Sequence, residues 1–315
     1  MIEYVSNMAL PVDERFQIKK NRIAPEQLNE NAKRICIVTG THGDELEGQY
    51  VCYELARRIH ENKRHLTGIV DIYPALNPLG IDTINRGMPL FDLDMNRTFP
   101  GDSNGTMAET VAANIINDLK GASLCIDIHA SNIFLMEISQ IRINEITAET
   151  LVPMARWLNM DFIWVHSAAT VLESTLAYSL NSIGTPTLVV EMGVGMRITK
   201  AYGDRLVDGI FYAMKELGIW DGDVKNPCTP IISEDGNVCF LNAAVSGIFL
   251  PVVPHGKELK KGEHIGDIVN PLTGMILQKI YSPCNGLLFT LREYPVVNEG
   301  ALVGRILERQ VKKNA

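Results

Sequence analysis

In TGTHGDELEG, residues 39–48, a histidine and a glutamate stand three apart between glycines, directly after the apolar run RICIV. One turn therefore carries both His42 and Glu45. An imidazole and a carboxylate at that separation can share one metal ion. They can equally be polar groups in a solvated turn at the end of a buried strand. The pair alone leaves both readings open, and the rest of the chain must supply further ligands or fail to.

Two other polar sequences follow apolar runs in the same way. LCIDIHAS ends in His129, and TLVVEMG ends in Glu191. Two imidazoles and one carboxylate are a recurring catalytic zinc set, which leaves the fourth position open for water. A second carboxylate nearby can take that water's proton and pass it to a leaving amine. Glu45 is then the ligand and Glu191 the base, or the reverse; the shared turn of His42 and Glu45 favours the first. The loop NRGMPLFDLDMNRTFPG, residues 85–101, adds Arg86, Asn96 and Arg97. Guanidinium forks match carboxylates, and a carbonyl developing negative charge needs a fixed donor. This loop offers groups for both tasks. Asp92 and Asp94 flank it and read first as loop residues. Asp127, two before His129 and on the same strand face, can orient a ligand histidine or serve a structural hydrogen bond. Ser174 and Thr175 are candidates for a pocket wall. His60, His65, His166, His255 and His264 lack partner motifs and read as surface or packing residues.

These residues need a scaffold that brings distant strand ends together. RICIVT, GIVDIYPALNP, SLCIDIHAS, FIWVH and TPTLVVEMGVG read as strands. GQYVCYELARRIHENKRH, MAETVAANIINDLKG, AETLVPMARWLNM, TLAYSLNSIG and KAYGDRLVDGIFYAMKELGIW read as helices. That alternation from about residue 34 to 220 predicts βαβ units on a mostly parallel sheet flanked by helices. In such sheets ligands bind outside the carboxyl ends of strands, where His42, Glu45, His129 and Glu191 all fall. After Trp220 the texture changes to short β-like runs between glycines. The expectation is an α/β catalytic domain over residues 1–225 and a smaller all-β module over 226–315.

The 315 residues carry a formal net charge of −8 and a pI near 5.4. That balance argues against nucleic acid or an anionic membrane as the partner, though local arginines can still hold a small anion. Six scattered cysteines without a CxxC pair read as buried free thiols in a reducing compartment. The N-terminus has acidic residues where a signal peptide would be basic, and no run of 18 apolar residues occurs. Cytoplasmic and soluble is the expectation.

GTHGDELEG, DMNRTFPG, DIHAS and VVEMGVG, in this order and at these separations, resemble the succinylglutamate desuccinylase/aspartoacylase family, which belongs with the zinc carboxypeptidases. The resemblance spans roughly residues 34–220 and extends to the C-terminal β region. It implies one zinc per chain on His42, Glu45 and His129, with Glu191 as general base and later acid. It implies that Arg97 and Asn96 hold a substrate carboxylate and that Arg86, a looser match, polarises the scissile carbonyl. The family hydrolyses N-acyl amino acids, so the implied partner is a small-molecule N-acyl amino acid, and a homo-oligomer is compatible with it. Two departures bear on specificity. The stretch before Glu191 lacks the arginine of the aspartoacylase pattern, and Leu302 falls where that enzyme has a tyrosine. Arg142, in SQIRINE, is the candidate for binding a second polar group.

The C-terminal run resembles biotinyl/lipoyl-type barrel-sandwich modules, but the turn NPLTGM carries no lysine to modify. A pocket-walling role is expected instead of a carrier role. The alternatives to a deacylase are a metallocarboxypeptidase acting on short peptides and a non-catalytic binding protein on this scaffold.

Overall fold

RICIVT forms the strand Arg34–Thr39, of which every residue after Arg34 is buried. A strand with no solvated face belongs in the middle of a sheet covered by helices. The computed structural model describes residues 1–166, 173–233 and 237–309. In chain order its first half runs β1 (Ile2–Ala9), β2 (Arg15–Ile23), β3 (Arg34–Thr39), α1 (Glu47–Glu61), β4 (Ile69–Tyr73), α2 (Pro78–Thr83) and α3 (Met107–Leu119). It continues with β5 (Leu124–His129), β6 (Leu135–Asn144), α4 (Ala148–Ala155), β7 (Phe162–His166), α5 (Leu176–Ser182), β8 (Thr187–Gly193) and α6 (Lys200–Glu216). The C-terminal part is built of β9 (Ile231–Ser233), β10 (Val238–Asn242), β11 (Gly247–Pro251), β12 (Glu258–Leu259), β13 (His264–Asn270), β14 (Met275–Tyr281), β15 (Gly286–Arg292), β16 (Val296–Val297) and β17 (Leu302–Glu308).

Among the described residues, thirteen strands form one mixed sheet along the path β1-β2-β4-β3-β5-β8-β6-β15-β17-β10. The centre β4-β3-β5-β8 is parallel, as the βαβ alternation predicts. Two apolar clusters cover its faces. One joins Ile35, Ile37, Leu55 and Leu206, and the other Cys36, Val38, Val111 and Leu180. Helix α3 starts on a capping box in which Thr106 and Glu109 satisfy each other's backbone N–H groups.

The flanks differ from the sequence expectation. The N-terminal segment forms the hairpin β1–β2, and β2 pairs antiparallel with β4. Residues 135–144 form β6, antiparallel to β8. A ten-residue strand with charged and polar residues on both faces does not read as a strand from alternation alone. Strand β15 then pairs with β6, so β10, β12, β15 and β17 continue the same sheet. Strands β11, β13, β14 and β16 make a separate four-stranded antiparallel sheet. The last six residues of the span 226–315 lie outside the described residues. No described helix is long and apolar enough to cross a membrane.

The thiols also differ in part. Cys36, Cys52, Cys125 and Cys284 are buried, but Cys228 is exposed and Cys239 half-buried. Cys228 lies in the connection before β9, and Cys239 lies on β10, the end strand of the large sheet's path.

Candidate functional site

His42 and Glu45 sit in the turn between β3 and α1, and two glycines fix the path of that turn. Gly40 takes a left-handed φ of +67° against the backbone of residues 74–75. A Cβ on Gly43 would overlap the backbone of Gly80. Only residues without a Cβ allow both close approaches. His129 is the last residue of β5, and Glu191 is its register partner on β8. Strand ends separated by more than sixty residues of sequence thus meet at one rim.

The two imidazoles are held in the same way. His42 sets Nδ1 2.8 Å from Glu45 Oε1 and Nε2 3.1 Å from Asp94 Oδ1. His129 sets Nδ1 2.9 Å from Glu45 Oε2 and Nε2 3.1 Å from Asp127 Oδ2. Each ring thus has one nitrogen held by a carboxylate outside the cluster and the other turned toward Glu45. Such outer carboxylates fix the orientation of metal-bound histidines and raise their basicity. The ligand atoms of His42, Glu45 and His129 lie within 4.8 Å of one another, and all three residues are buried. These two imidazoles and one carboxylate fit a metal ion. Asp94, read from sequence as a loop residue, proves to be the orienting partner of His42. It also accepts the Asn96 backbone N–H, 2.8 Å away.

The electrostatics follow from this packing. Burial opposes charge on His42, but Asp94 and Glu45 outweigh it and raise the ring above its ordinary range. Burial likewise opposes charge on His129, and Asp127 with Glu45 lifts it well above. Burial would raise Glu45, yet the two imidazoles hold it far below the carboxylate range. A dication bound between the rings would displace the protons that this arrangement favours. Burial raises Glu191, against the lowering effects of Arg142 and His129.

The eight residues expected to bind metal, bind substrate or catalyse line one cavity of about 780 Å³: His42, Glu45, Arg86, Asn96, Arg97, His129, Arg142 and Glu191; Ser174, a candidate for its wall, does not. Arg86 donates to Glu45 Oε1 at 2.7 Å. Asn96 Oδ1 accepts the N–H of Leu176 at the start of α5, at 2.9 Å. Arg97 donates to the Asn96 carbonyl at 2.7 Å and keeps about half its side chain exposed. Arg142 lies 3.3 Å from Glu191 and 5.7 Å from the centre of the Trp164 ring. Thr175 and His166 line the same space.

The chain belongs to the succinylglutamate desuccinylase/aspartoacylase family. The catalytic-domain profile of that family matches residues 31–217, more than half of the chain. The deacylase family domain thus covers every strand end that carries the rim. The chain is similar to the N-alpha-acetyl-L-2,4-diaminobutyric acid deacetylase of Halomonas elongata, at 23% identity over 285 residues covering 85% of this chain and 80% of that one. Its fold matches the crystal structure of succinylglutamate desuccinylase/aspartoacylase from Rhodobacter sphaeroides, with a TM-score of 0.80, 22% identity, and 98% and 95% of the two chains covered. It also matches the product-bound ectoine utilization protein EutE (DoeB) from Ruegeria pomeroyi, with a TM-score of 0.82, 19% identity, and coverage of 98% and 95%.

Two charged lining residues, Glu137 and Arg305, escaped the sequence reading. Glu137, almost fully buried on β6, accepts from Gln140 at 2.8 Å, Thr290 at 2.6 Å and Arg305 at 2.8 Å, with Arg142 at 3.5 Å. Glu137 and Arg142 differ by an odd number of positions and should face opposite sides of a regular strand. A register shift between Glu137 and Gln140 turns both to the cavity. Arg305 arrives from β17 near the chain's end. No local motif marks either residue. Asp44 is buried, and its carbonyl accepts the Met196 N–H at 2.6 Å, tying the turn that carries His42 and Glu45 to the loop after Glu191.

Proposed function

We propose that this chain is a cytoplasmic, zinc-dependent deacylase that hydrolyses the amide of a small N-acyl amino acid to a carboxylate and a free amine. The observation that carries this reading is the convergence of two histidine Nδ1 atoms on Glu45, each ring held from behind by a carboxylate. Zinc, one per chain on His42, Glu45 and His129, would acidify a bound water and polarise a carbonyl oxygen.

The chain's own groups account for the rest. Glu191 takes the proton of the attacking water and returns it to the departing nitrogen as the C–N bond breaks. Glu191 stands half-buried 3.3 Å from Arg142, and its desolvation raises its pKa, which favours accepting a proton. Arg97 binds the substrate carboxylate, aided by the Asn96 side-chain N–H₂, because the Asn96 oxygen is already committed to Leu176. Arg86 has further N–H groups beyond the one on Glu45, and these support the developing charge on the carbonyl oxygen. Arg142 meets a second polar group of the substrate. Residues 1–225 act as the catalytic domain, and the module of residues 226–315 closes the far wall through Arg305.

The test is zinc content together with hydrolysis of a panel of N-acetyl, N-succinyl and N-formyl amino acids, with dipeptides alongside. N-acetyl-2,4-diaminobutyrate belongs in the panel because of the Halomonas elongata relative. Stoichiometric zinc with turnover of one N-acyl amino acid is the expected result. Protein that holds no zinc and hydrolyses none of them refutes the reading, and turnover of dipeptides alone would make it a carboxypeptidase.

A further inference from the structure

Far from the metal cluster, in the C-terminal strands, two thiols meet. Cys239 on β10 and Cys284 in the turn before β15 are 45 residues apart in sequence, yet their Sγ atoms are 3.1 Å apart. They do not share a strand pair. Cys239 is opposite Ile306 of β17, and β17 in turn pairs with β15, so the two sulfurs reach each other across the middle strand. The Cys284 turn is fixed independently, because its carbonyl accepts the Ser282 hydroxyl at 2.7 Å. Both side chains belong to or pack on the apolar core of this region, with Ile306 and Leu288 as neighbours in it. Cys284 is buried and Cys239 is half-buried, so only one of the pair is open to a reagent from solution.

We propose that Cys239 and Cys284 form a thiol–disulfide pair, with Cys239 as the residue attacked from solution and Cys284 as the resolving thiol. Two free thiols packed as ordinary small apolar groups have no need of mutual sulfur contact. A half-exposed thiol beside a buried one is the arrangement in which oxidation stops at a disulfide. With a peroxide as oxidant the chemistry balances. The Cys239 thiolate attacks one peroxide oxygen, giving a sulfenic acid and one water. The Cys284 thiolate then attacks the Cys239 sulfur, and the displaced hydroxide leaves as a second water with the remaining thiol proton. Two thiols lose two electrons and two protons, and one peroxide becomes two waters.

The bridge would close a loop holding β11 to β14 and would pin β10 to the base of β15. Strand β15 carries Thr290, and the strand between the two cysteines carries Arg305; both side chains bind Glu137 in the cavity wall. Closing a loop of this length restricts the unfolded chain and stabilises the folded one.

The experiment treats the folded full-length protein with hydrogen peroxide, quenches it, alkylates remaining thiols under denaturing conditions and maps peptides by mass spectrometry. The expected result is a Cys239–Cys284 crosslinked peptide two hydrogens lighter than the reduced pair. It should vanish with dithiothreitol and be absent in Cys239→Ser. The oxidised protein should melt several degrees higher than the reduced protein. Exposed Cys228 serves as the internal control for oxidation at an isolated thiol. In Cys284→Ser the Cys239 sulfenic acid has no resolving thiol, so peroxide should carry it on to mixed adducts and to the sulfinic and sulfonic acids. If that variant does not fold, Cys239→Ser alone decides the matter. Full alkylation of both cysteines after peroxide, or a crosslink to Cys228 instead, would overturn the proposal.

Discussion

The central sheet holds two buried clusters of charge with different outcomes. At the rim of strand ends, His42, Glu45 and His129 bring two imidazoles and a carboxylate within 4.8 Å of one another beside a cavity. On β4, Asp71 is wholly buried, and Lys20, Arg22 and Arg34 surround it. Arg22 meets Asp71 in a two-pronged contact at 2.8 and 2.7 Å, Arg34 at 3.2 Å and Lys20 at 3.4 Å. Lys20 also bonds Asp118, and Arg34 donates to the carbonyls of residues 118, 119 and 120 at the end of α3. The second cluster is closed, since its charges are matched within the chain. Ammonium and guanidinium groups only donate and keep their protons, so they can fasten a hairpin but cannot ligate a cation. Imidazoles offer a lone pair as soon as they are neutral. Burial is common to both clusters; the type of donor separates structure from chemistry.

The comparison predicts that variants at the two clusters have separate effects. On the proposed reading, His129→Ala should hold less than about a tenth of the parent's zinc and hydrolyse roughly 10³-fold more slowly, because one of the three ligands is gone. Metal analysis and turnover measure this, and a variant with stoichiometric metal would break the assignment. Glu191→Gln should keep its metal while turnover falls about 10²- to 10⁴-fold, the range of general base catalysis. Unchanged turnover would remove Glu191 from that role. Asp71→Asn should do the reverse, costing about 3 kcal/mol in denaturant unfolding because three cations lose their common anion. Its activity per folded molecule should stay near that of the parent. A catalytic defect without a stability loss would show that the closed cluster reaches the site. Arg97→Lys should raise KM by roughly tenfold with kcat nearly unchanged, since a point charge replaces a planar fork.

How much of this was legible beforehand depends on locality. His42, Glu45, His129 and Glu191 each follow an apolar run, so strand ends could be recognised and the rim inferred from one topological rule. Asn96 and Arg97 were legible because their loop is dense in polar groups between glycine and proline. Glu137 and Arg305 were not. Glu137 lies in a strand with polar residues on both faces and Arg305 in a short strand near the chain's end, and they meet through the pairing of β6 with β15 and of β15 with β17, across some 150 residues. The same holds for Lys20, Arg22 and Asp71. A lysine and an arginine two apart near the N-terminus carry no local sign of burial, and only the hairpin places them on a buried aspartate. Periodicity reports what a strand faces only when the faces differ in polarity, and buried ion networks remove that difference.

The smallest expected effect concerns pH and sharpens the comparison from the side of the closed cluster. Burial alone would raise Asp71, but the hydrogen bonds from Arg22 and the charge of Lys20 outweigh it and hold the carboxyl below its ordinary value. A carboxyl with a depressed folded-state pKa adds stability that is fully present above the unfolded-state pKa, near 4 for aspartate. That stability is lost as pH falls through the lower, folded-state value. The denaturant midpoint of the parent protein should therefore be insensitive to Asp71 from neutral pH down to about pH 5 and fall below it. Asp71→Asn should start lower and lose less over the same acidic interval, so the two curves should converge. Unfolding titrations at pH 7, 5, 4 and 3 would show this. Parallel curves would mean that the contacts around Asp71 do not lower its pKa, and that its three cations are held by Asp118, Glu3 and the carbonyls of α3 instead.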